Sequence, residues 1–137
     1  MVTHHTNVPY FEKSPVAPAT LTPDAQSRSP KKPTFVGVTD KHVITDGKQK
    51  IEVYATAGDT HTAEYTLIYL PDPGILVEGD AYSPGPPDAP PPATPPPNAV
   101  TLYNELQRLK LTVNTIAPIH GRGVVPFAEL KKTIGVN

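Results

Sequence analysis

The middle of the chain alternates apolar and polar residues with a period of two, which is typical of β-strands. Residues 42–45 and 49–55 read as two such segments joined by Asp46-Gly47. An Asp-Gly pair favours a hairpin turn because the turn requires a positive φ. In the second segment Ile51, Val53 and Ala55 alternate with polar or amphipathic neighbours. The pattern therefore predicts a β-hairpin whose second strand buries one face.

Two further apolar runs follow. The sequence YTLIYL at 65–70 is dense enough to predict a strand covered on both faces. A Pro-Asp-Pro-Gly turn at 71–74 then leads into a short strand at 75–77.

The period changes to that of a helix after residue 98. Leu102, Leu106 and Leu109 recur at helical spacing, and Asn98 is predicted to cap the helix through its side-chain oxygen. Residues 113–118 then predict a strand, and 126–134 a closing helix with a proline in its first turn. The order of strands, helix, strand and helix indicates an α/β fold with a mixed sheet and flanking helices.

Prolines are concentrated in two parts of the chain. Nine of the 19 lie in the 15 residues from Ser83 to Pro97, which cannot form a helix or an inner strand. We interpret 83–97 as an extended surface loop, in preference to a ligand for a proline-recognising domain. Residues 14–33 are also rich in proline and poor in apolar residues, so we expect irregular backbone there. The 137 residues otherwise suit one domain, 1–137.

Composition and charge exclude several functions. The 12 basic and 13 acidic residues give a net charge of -1, which argues against general nucleic-acid binding. Cysteine is absent, so disulfides and thiolate metal sites are excluded. No apolar run approaches the ~20 residues that span a bilayer. The N-terminus lacks the pattern of a signal peptide, so a cytoplasmic location is the default expectation.

Three polar residues stand at the ends of predicted strands. His61 precedes the strand at 65–70, Asp80 follows the strand at 75–77, and His120 follows the strand at 113–118. Loops at strand ends are where rigid scaffolds place functional groups. Two imidazoles and a carboxylate are suitable ligands for Zn²⁺, and Cu²⁺ is also possible. The alternative is that each residue is an ordinary turn or surface residue.

These pieces, taken in order, resemble a known family. The chain resembles the second half of a metallo-β-lactamase-fold hydrolase in five pieces that follow one another. They are a His-Thr pair, the run YTLIYLP, a strand ending in Gly-Asp, a helix, and a strand ending in Pro-Ile-His-Gly. The resemblance covers about residues 51–134, and it implies half of an αββα sandwich. It also implies that His61 binds one metal ion, that Asp80 bridges two, and that His120 binds the second.

The sequence departs from that family at its main motif. His-x-His-x-Asp-His is not found in these residues, and the adjacent His4 and His5 do not reproduce its spacing. Neighbouring residues of a strand point to opposite faces, so these two side chains would not share an ion. We therefore expect a fragment or a shortened member of the family. A half-sandwich would leave an apolar face and an edge strand uncovered, which predicts a homo-oligomer.

Two classes of function remain open from the sequence. The first is a metal-dependent hydrolase of a small-molecule ester, lactone, amide or phosphodiester, with Asp80 orienting or deprotonating water. The second is a non-catalytic metal-binding or interaction protein, or a copper-binding redox-active variant. Arg122, beside His120, either meets an anionic substrate group or is a plain loop arginine.

Overall fold

The N-terminal part of the chain forms a small unit of its own. The computed structural model describes residues 1–14, 22–23, 25–29, 31–58 and 60–136. They fall into two compact units, Met1–Thr39 and Asp40–Asn137. In the first, strand β1 (Val2–His4) pairs in parallel with β2 (Val36–Val38). Between them lie a 3-10 helix (His5–Asn7) and helix α1 (Val8–Lys13).

The predicted irregular segment 14–33 is only partly described. Ser14 is the C-cap of α1. Residues 15–21, 24 and 30 lie outside the described residues. The remainder of the segment has turns, a bend and irregular backbone, as its prolines and low apolar content predict.

The second unit is built on a six-stranded mixed sheet. Its strands lie in chain order and are β3 (Lys41–Thr45), β4 (Lys50–Ala55), β5 (Thr66–Leu70), β6 (Ile75–Glu78), β7 (Thr115–Pro118) and β8 (Val125–Pro126). All neighbours are antiparallel except β6 and β7, which are parallel. The hairpin forms as predicted, and Gly47 takes the positive φ of its turn. The short strand β8 was not predicted.

Two helices cover one face of this sheet. Helix α2 (Pro97–Arg108) crosses between β6 and β7, and α3 (Phe127–Ile134) follows β8. Apolar side chains from both helices and from the sheet form one buried cluster, which includes Leu67, Tyr69, Leu76, Leu102, Leu106, Ile116 and Leu130. The predicted α/β class, with a mixed sheet and flanking helices, is confirmed. No helix in the described part of the chain is long and apolar enough to cross a membrane.

The start of α2 differs from the prediction. The helix begins at Pro97, with Pro96 as its N-cap, so the proline-rich loop ends at residue 96. Proline is accepted at the first helical position because the N–H it lacks would have no helical partner there. Asn98 therefore lies inside the helix and does not cap it. Its side-chain oxygen instead accepts a hydrogen bond from the Thr60 hydroxyl.

The burial of β4 and β5 also differs from the prediction. On β4, Glu52 and Tyr54 are buried together with Val53 and Ala55, so the expected one-sided pattern is wrong. Glu52 and Tyr54 lie on the face that the helices cover, and each finds a polar partner there. On β5, Leu67 and Tyr69 are buried but Ile68 is 37% exposed, so this strand is not covered on both faces.

Candidate functional site

The parallel pairing of β6 and β7 brings Asp80 and His120 together. Glu78 and Pro118 are register partners at the ends of these strands. Asp80 and His120 each come two residues later, so both side chains leave the same edge of the sheet. The His120 Nε2 atom lies 2.7 Å from Asp80 Oδ1.

His61 reaches the same edge from a different loop. Residues 56–65, which we call the His61 loop, connect β4 to β5. The base of this loop is closed by hydrogen bonds from the Thr56 N–H and hydroxyl to the carbonyl oxygen of Tyr65, both at 3.0 Å. Because β5 runs antiparallel to β6, its beginning lies next to the end of β6. The His61 Nε2 atom lies 3.2 Å from Asp80 Oδ2.

The Asp80 carboxylate thus stands between two imidazoles. Each carboxylate oxygen faces a different ring, Oδ2 toward His61 and Oδ1 toward His120. The three side chains are accessible, with exposed fractions of 57% for His61, 49% for Asp80 and 62% for His120. Water screens charge pairs at this level of exposure, so the pairs add little to stability. The same exposure makes the site accessible to a ligand from solvent.

The donors are arranged as two pairs that share Asp80. Among the described residues, no three His, Asp or Glu side chains are grouped so that they could hold one metal ion together. Imidazole nitrogen and carboxylate oxygen are suitable ligands for zinc. Two donors on a tetrahedral zinc, each at about 2.1 Å from the ion, lie about 3.4 Å apart. The 3.2 Å separation of His61 and Asp80 and the 2.7 Å separation of His120 and Asp80 are both hydrogen-bond lengths, and the wider of the two is close to the donor separation on zinc.

Backbone geometry shapes the loop that carries His120. Gly121 has a φ of +93°, and a Cβ atom at this position would lie 2.8 Å from Cδ of Pro84. Arg122 donates from Nε to the carbonyl oxygen of Gly85 at 2.8 Å, and its guanidinium also contacts Glu129 of α3. The hydrogen bond that Arg122 donates to the Glu129 carboxylate raises the pKa of Arg122 above its ordinary value. Of the two predicted roles for Arg122, these contacts support the structural one.

A groove opens beside this loop. It lies between the proline-rich loop and α3, has a volume of about 550 Å³, and includes Tyr82, Ser83, Arg122 and Lys132 in its walls. Lys132 donates to the carbonyl oxygen of Ala89 at 3.3 Å, and the Tyr82 hydroxyl lies 3.2 Å from the Thr133 hydroxyl. The proline-rich loop is therefore held against the domain by hydrogen bonds to its carbonyl oxygens.

Several solved structures have a similar fold, and the similarity covers most of this chain. A metallo-β-lactamase from Pontibacter korlensis matches with a TM-score of 0.52 and 22% identity, covering 82% of this chain and 52% of its own. An archaeal metallo-beta-lactamase superfamily protein from Sulfolobus tokodaii matches with a TM-score of 0.52 and 18% identity, covering 83% and 41%. The DIM-1 metallo-β-lactamase matches with a TM-score of 0.51 and 20% identity, covering 98% and 66%.

This chain has part of the metallo-β-lactamase fold. The predicted resemblance is confirmed at the level of the fold, and the chain spans between about two fifths and two thirds of the length of these structures. No protein-family model matches the sequence, and no curated protein matches it. Within the metallo-β-lactamase fold, the edge that carries His61, Asp80 and His120 is the candidate functional site.

The sequence did not single out Glu78, which lies directly before this site. It is buried, with 3% of its surface exposed, although it ends a strand next to a glycine. Its position in phase with Leu76 could have placed it on the buried face. A carboxylate at a buried position of a strand needs polar partners. An acidic residue in phase with buried apolar residues was therefore the sequence signal that could have identified Glu78 as a residue with a structural role.

Proposed function

We propose that this protein acts as a metal-dependent hydrolase, with His61, Asp80 and His120 as metal ligands. The observation that carries the proposal is the Asp80 carboxylate, whose two oxygens each face the Nε2 atom of a different exposed imidazole. A carboxylate in this position can bridge two sites, each with one histidine. The metallo-β-lactamase fold supports the proposal at the level of reaction class.

The residues fit a metal as two pairs of donors and not as a complete cage. Zinc in a catalytic site takes three protein ligands and keeps one position open. Ligands beyond the two pairs would come from water or from outside this set of three, including a second copy of the chain in a homo-oligomer. Zn²⁺ is the proposed ion, and Cu²⁺ is the alternative because nitrogen ligands bind it more tightly.

The chemistry follows from the types of side chain. A bound Zn²⁺ would lower the pKa of water to about 7 and polarise a carbonyl or phosphoryl oxygen. Asp80 is the proposed catalytic carboxylate, since its ionised form is an acceptor that can orient a water molecule or take its proton. The substrate is a small-molecule ester, lactone, amide or phosphodiester.

One observation favours a second candidate function. In the described part of the chain the site offers two donor pairs and no three donors that converge on one ion, fewer than the three protein ligands of a catalytic zinc, so metal binding here is compatible with the absence of turnover. This alternative predicts metal uptake with no hydrolysis of either an ester or a phosphodiester.

Metal binding by matched histidine variants tests the proposal. Zn²⁺ affinity and bound metal content are measured for the unaltered protein, for His61→Ala, Asp80→Ala and His120→Ala, and for the control His42→Ala on strand β3. We expect the three site variants to lose about tenfold or more in affinity and the control to bind normally. Affinity should also fall in acid because imidazole binds metal only when neutral.

Hydrolysis of a generic ester and a generic phosphodiester is then measured on the same preparations. Metal binding with turnover supports the hydrolase, and metal binding without turnover supports the second candidate. Equal Zn²⁺ affinity in His120→Ala and His42→Ala would exclude His120 as a ligand and overturn the proposal.

A further inference from the structure

A buried carboxylate lies directly behind the candidate site. Glu78 ends β6 on the face that the helices cover, and only 3% of its surface is exposed. Its Oε2 atom accepts hydrogen bonds from the backbone N–H groups of Ala81 at 3.0 Å and Tyr82 at 3.3 Å. Ala81 and Tyr82 are the two residues that follow Asp80. The side chain of Glu78 therefore closes the turn at 79–82, which we call the Asp80 turn.

The main chain of Glu78 contacts the loop that carries His120. The carbonyl oxygen of Glu78 accepts a hydrogen bond from the N–H of Ile119 at 3.1 Å. Ile119 directly precedes His120. One residue thus contacts, through its side chain, the turn that carries Asp80 and, through its backbone, the loop that carries His120.

We propose that Glu78 is a positioning residue that fixes the Asp80 carboxylate between His120 and His61. The inference rests on the proposed function, in that it takes these three residues as the site. Both bonds go to one carboxylate oxygen, so the Glu78 side chain holds two consecutive N–H groups of the turn at a single point. Both bonds are buried, where a lost partner is not replaced by water.

The direction of the Asp80 side chain depends on the hydrogen bonds between the Asp80 turn and the Glu78 carboxylate. Asp80 itself is 49% exposed, so packing does not hold its side chain in place. Its direction is set by the turn, and the turn is closed on its C-terminal side by the two bonds to Glu78. Without the carboxylate, the N–H groups of Ala81 and Tyr82 would have to turn toward other acceptors. The Asp80 carboxylate would then leave the two imidazoles.

The contacts of His61 and His120 with Asp80 can be measured without any metal. Long-range ¹H–¹⁵N correlation spectra of the imidazole rings report hydrogen bonding at Nε2. Asp80→Ala defines the spectrum in which both contacts are lost. We expect Glu78→Ala to give a spectrum similar to that of Asp80→Ala, and Glu78→Gln, which keeps an acceptor oxygen, to stay close to the unaltered protein.

Glu52→Ala is the matched control, since Glu52 is the other buried glutamate of the described sheet and is 6% exposed. It lies on β4, away from the Asp80 turn. Glu52→Ala should lower stability while leaving the imidazole signals unchanged. Should Glu78→Ala fail to fold, Glu78→Asp takes its place, because its carboxylate is about 1.5 Å shorter in reach and cannot keep both bonds.

Three results would overturn the inference. One is an unaltered protein whose imidazole signals do not depend on Asp80. The second is a Glu78→Ala or Glu78→Asp protein with the signals of the unaltered one. The third is an equal loss of signals in Glu52→Ala, which would show a general effect of destabilisation.

A Zn²⁺ titration of the same set separates this inference from the proposed function. If the unaltered protein binds no Zn²⁺ but the imidazole signals change as expected, the proposed function fails and the role of Glu78 stands. If Zn²⁺ binds with the same affinity to Glu78→Ala and its imidazole signals are unaltered, the role of Glu78 fails and the metal site stands.

Discussion

Glu52 is a second buried carboxylate, and its surroundings differ from those of Glu78. The Tyr54 hydroxyl donates to Glu52 Oε2 at 2.5 Å, and the ammonium groups of Lys50 and Lys41 lie 3.1 and 3.6 Å from Oε1. The Tyr54 hydrogen bond, with the two lysines, lowers the pKa of Glu52 below its ordinary value of 4.5. Burial, together with Glu52, raises the pKa of Tyr54. The Tyr54 hydroxyl and the two lysines allow the charged carboxylate of Glu52 to lie on the sheet face that carries the buried cluster.

The lowered pKa of Glu52 predicts a loss of stability in acid. Its contribution is complete above pH 4.5 and is lost as the pH falls through the lower pKa of the folded state. We expect Glu52→Gln to reduce the free energy of unfolding by about 1–3 kcal/mol at pH 7. The difference from the unaltered protein should shrink below pH 4.5. Urea denaturation across this range measures it, with the exposed Glu12→Gln as control. A difference independent of pH would contradict the expectation.

Gly58 controls the shape of the His61 loop. It has a φ of +83°, and a Cβ atom there would lie 1.8 Å from the carbonyl oxygen of Ala63. Gly47 has a similar φ of +89° with nothing within 4 Å of its Cβ position. The two glycines therefore differ in packing and not in backbone strain.

This pair allows the clash to be measured separately from the strain. Gly47→Ala should cost about 1–2 kcal/mol, the strain of a left-handed backbone. Gly58→Ala should cost more, or should move the His61 loop so that the His61 contact with Asp80 is lost. Urea denaturation and the imidazole spectra of His61 report the two effects. Equal costs with an unchanged His61 spectrum would show that the loop adapts freely.

The proline-rich loop receives hydrogen bonds from side chains of other elements. Arg122 and Lys132 donate to its carbonyl oxygens at Gly85 and Ala89. Its backbone lacks most of the N–H donors that would form regular structure. Cations from the His120 loop and from α3 therefore supply the hydrogen bonds that the loop cannot make for itself.

Removing Arg122 should loosen this loop more than it destabilises the domain. Arg122→Ala loses one hydrogen bond and one partly exposed ion pair, so the domain itself should lose little stability. Hydrogen exchange should rise at the Ala89 amide, which donates to the carbonyl oxygen of Pro86 at 3.3 Å inside the loop. The control is Arg108→Ala, whose guanidinium pairs with Glu105 on the same helix. Unchanged exchange in Arg122→Ala would show that Lys132 and packing hold the loop alone.

At the scale of the whole molecule, exposed apolar side chains bear on self-association. Ile44 and Ile68 are 43% and 37% exposed. The strand register places both on the face of the sheet opposite the buried cluster. Apolar side chains that share a sheet face are a feature of association surfaces.

We expect the protein to form a homo-oligomer through this face. Light scattering at micromolar concentration should give a mass above 14.7 kDa. Ile68→Lys should shift the distribution toward the monomer, because a charge on this face would have to be desolvated. Ile119→Lys, at a residue 73% exposed beside His120, is the control and should leave the mass unchanged. A folded, monomeric unaltered protein would contradict the prediction.

From residue 41 onward, the sequence by itself determined the elements and their order except for the short strand β8, whereas β1, α1 and β2 of the first unit were not predicted. The period of two and the Asp-Gly turn predict the β3–β4 hairpin, and the spacing of Leu102 and Leu106 predicts α2. These are local features, set by backbone geometry and by the faces that side chains take along a strand or helix. For the same reason, the sequence placed His61, Asp80 and His120 at the ends of their strands.

Only the tertiary structure decided how these elements meet. The parallel register of Glu78 with Pro118 aligns Asp80 with His120, and no local pattern specifies that pairing. Glu52 looked like a solvent-facing residue because polarity along a strand does not show that helices will cover that face. The phase of Glu78 with Leu76 indicates a buried position, but its partners, the N–H groups of Ala81, Tyr82 and Ile119, carry no sequence signal. Backbone hydrogen bonds of this kind exist only once the chain has folded.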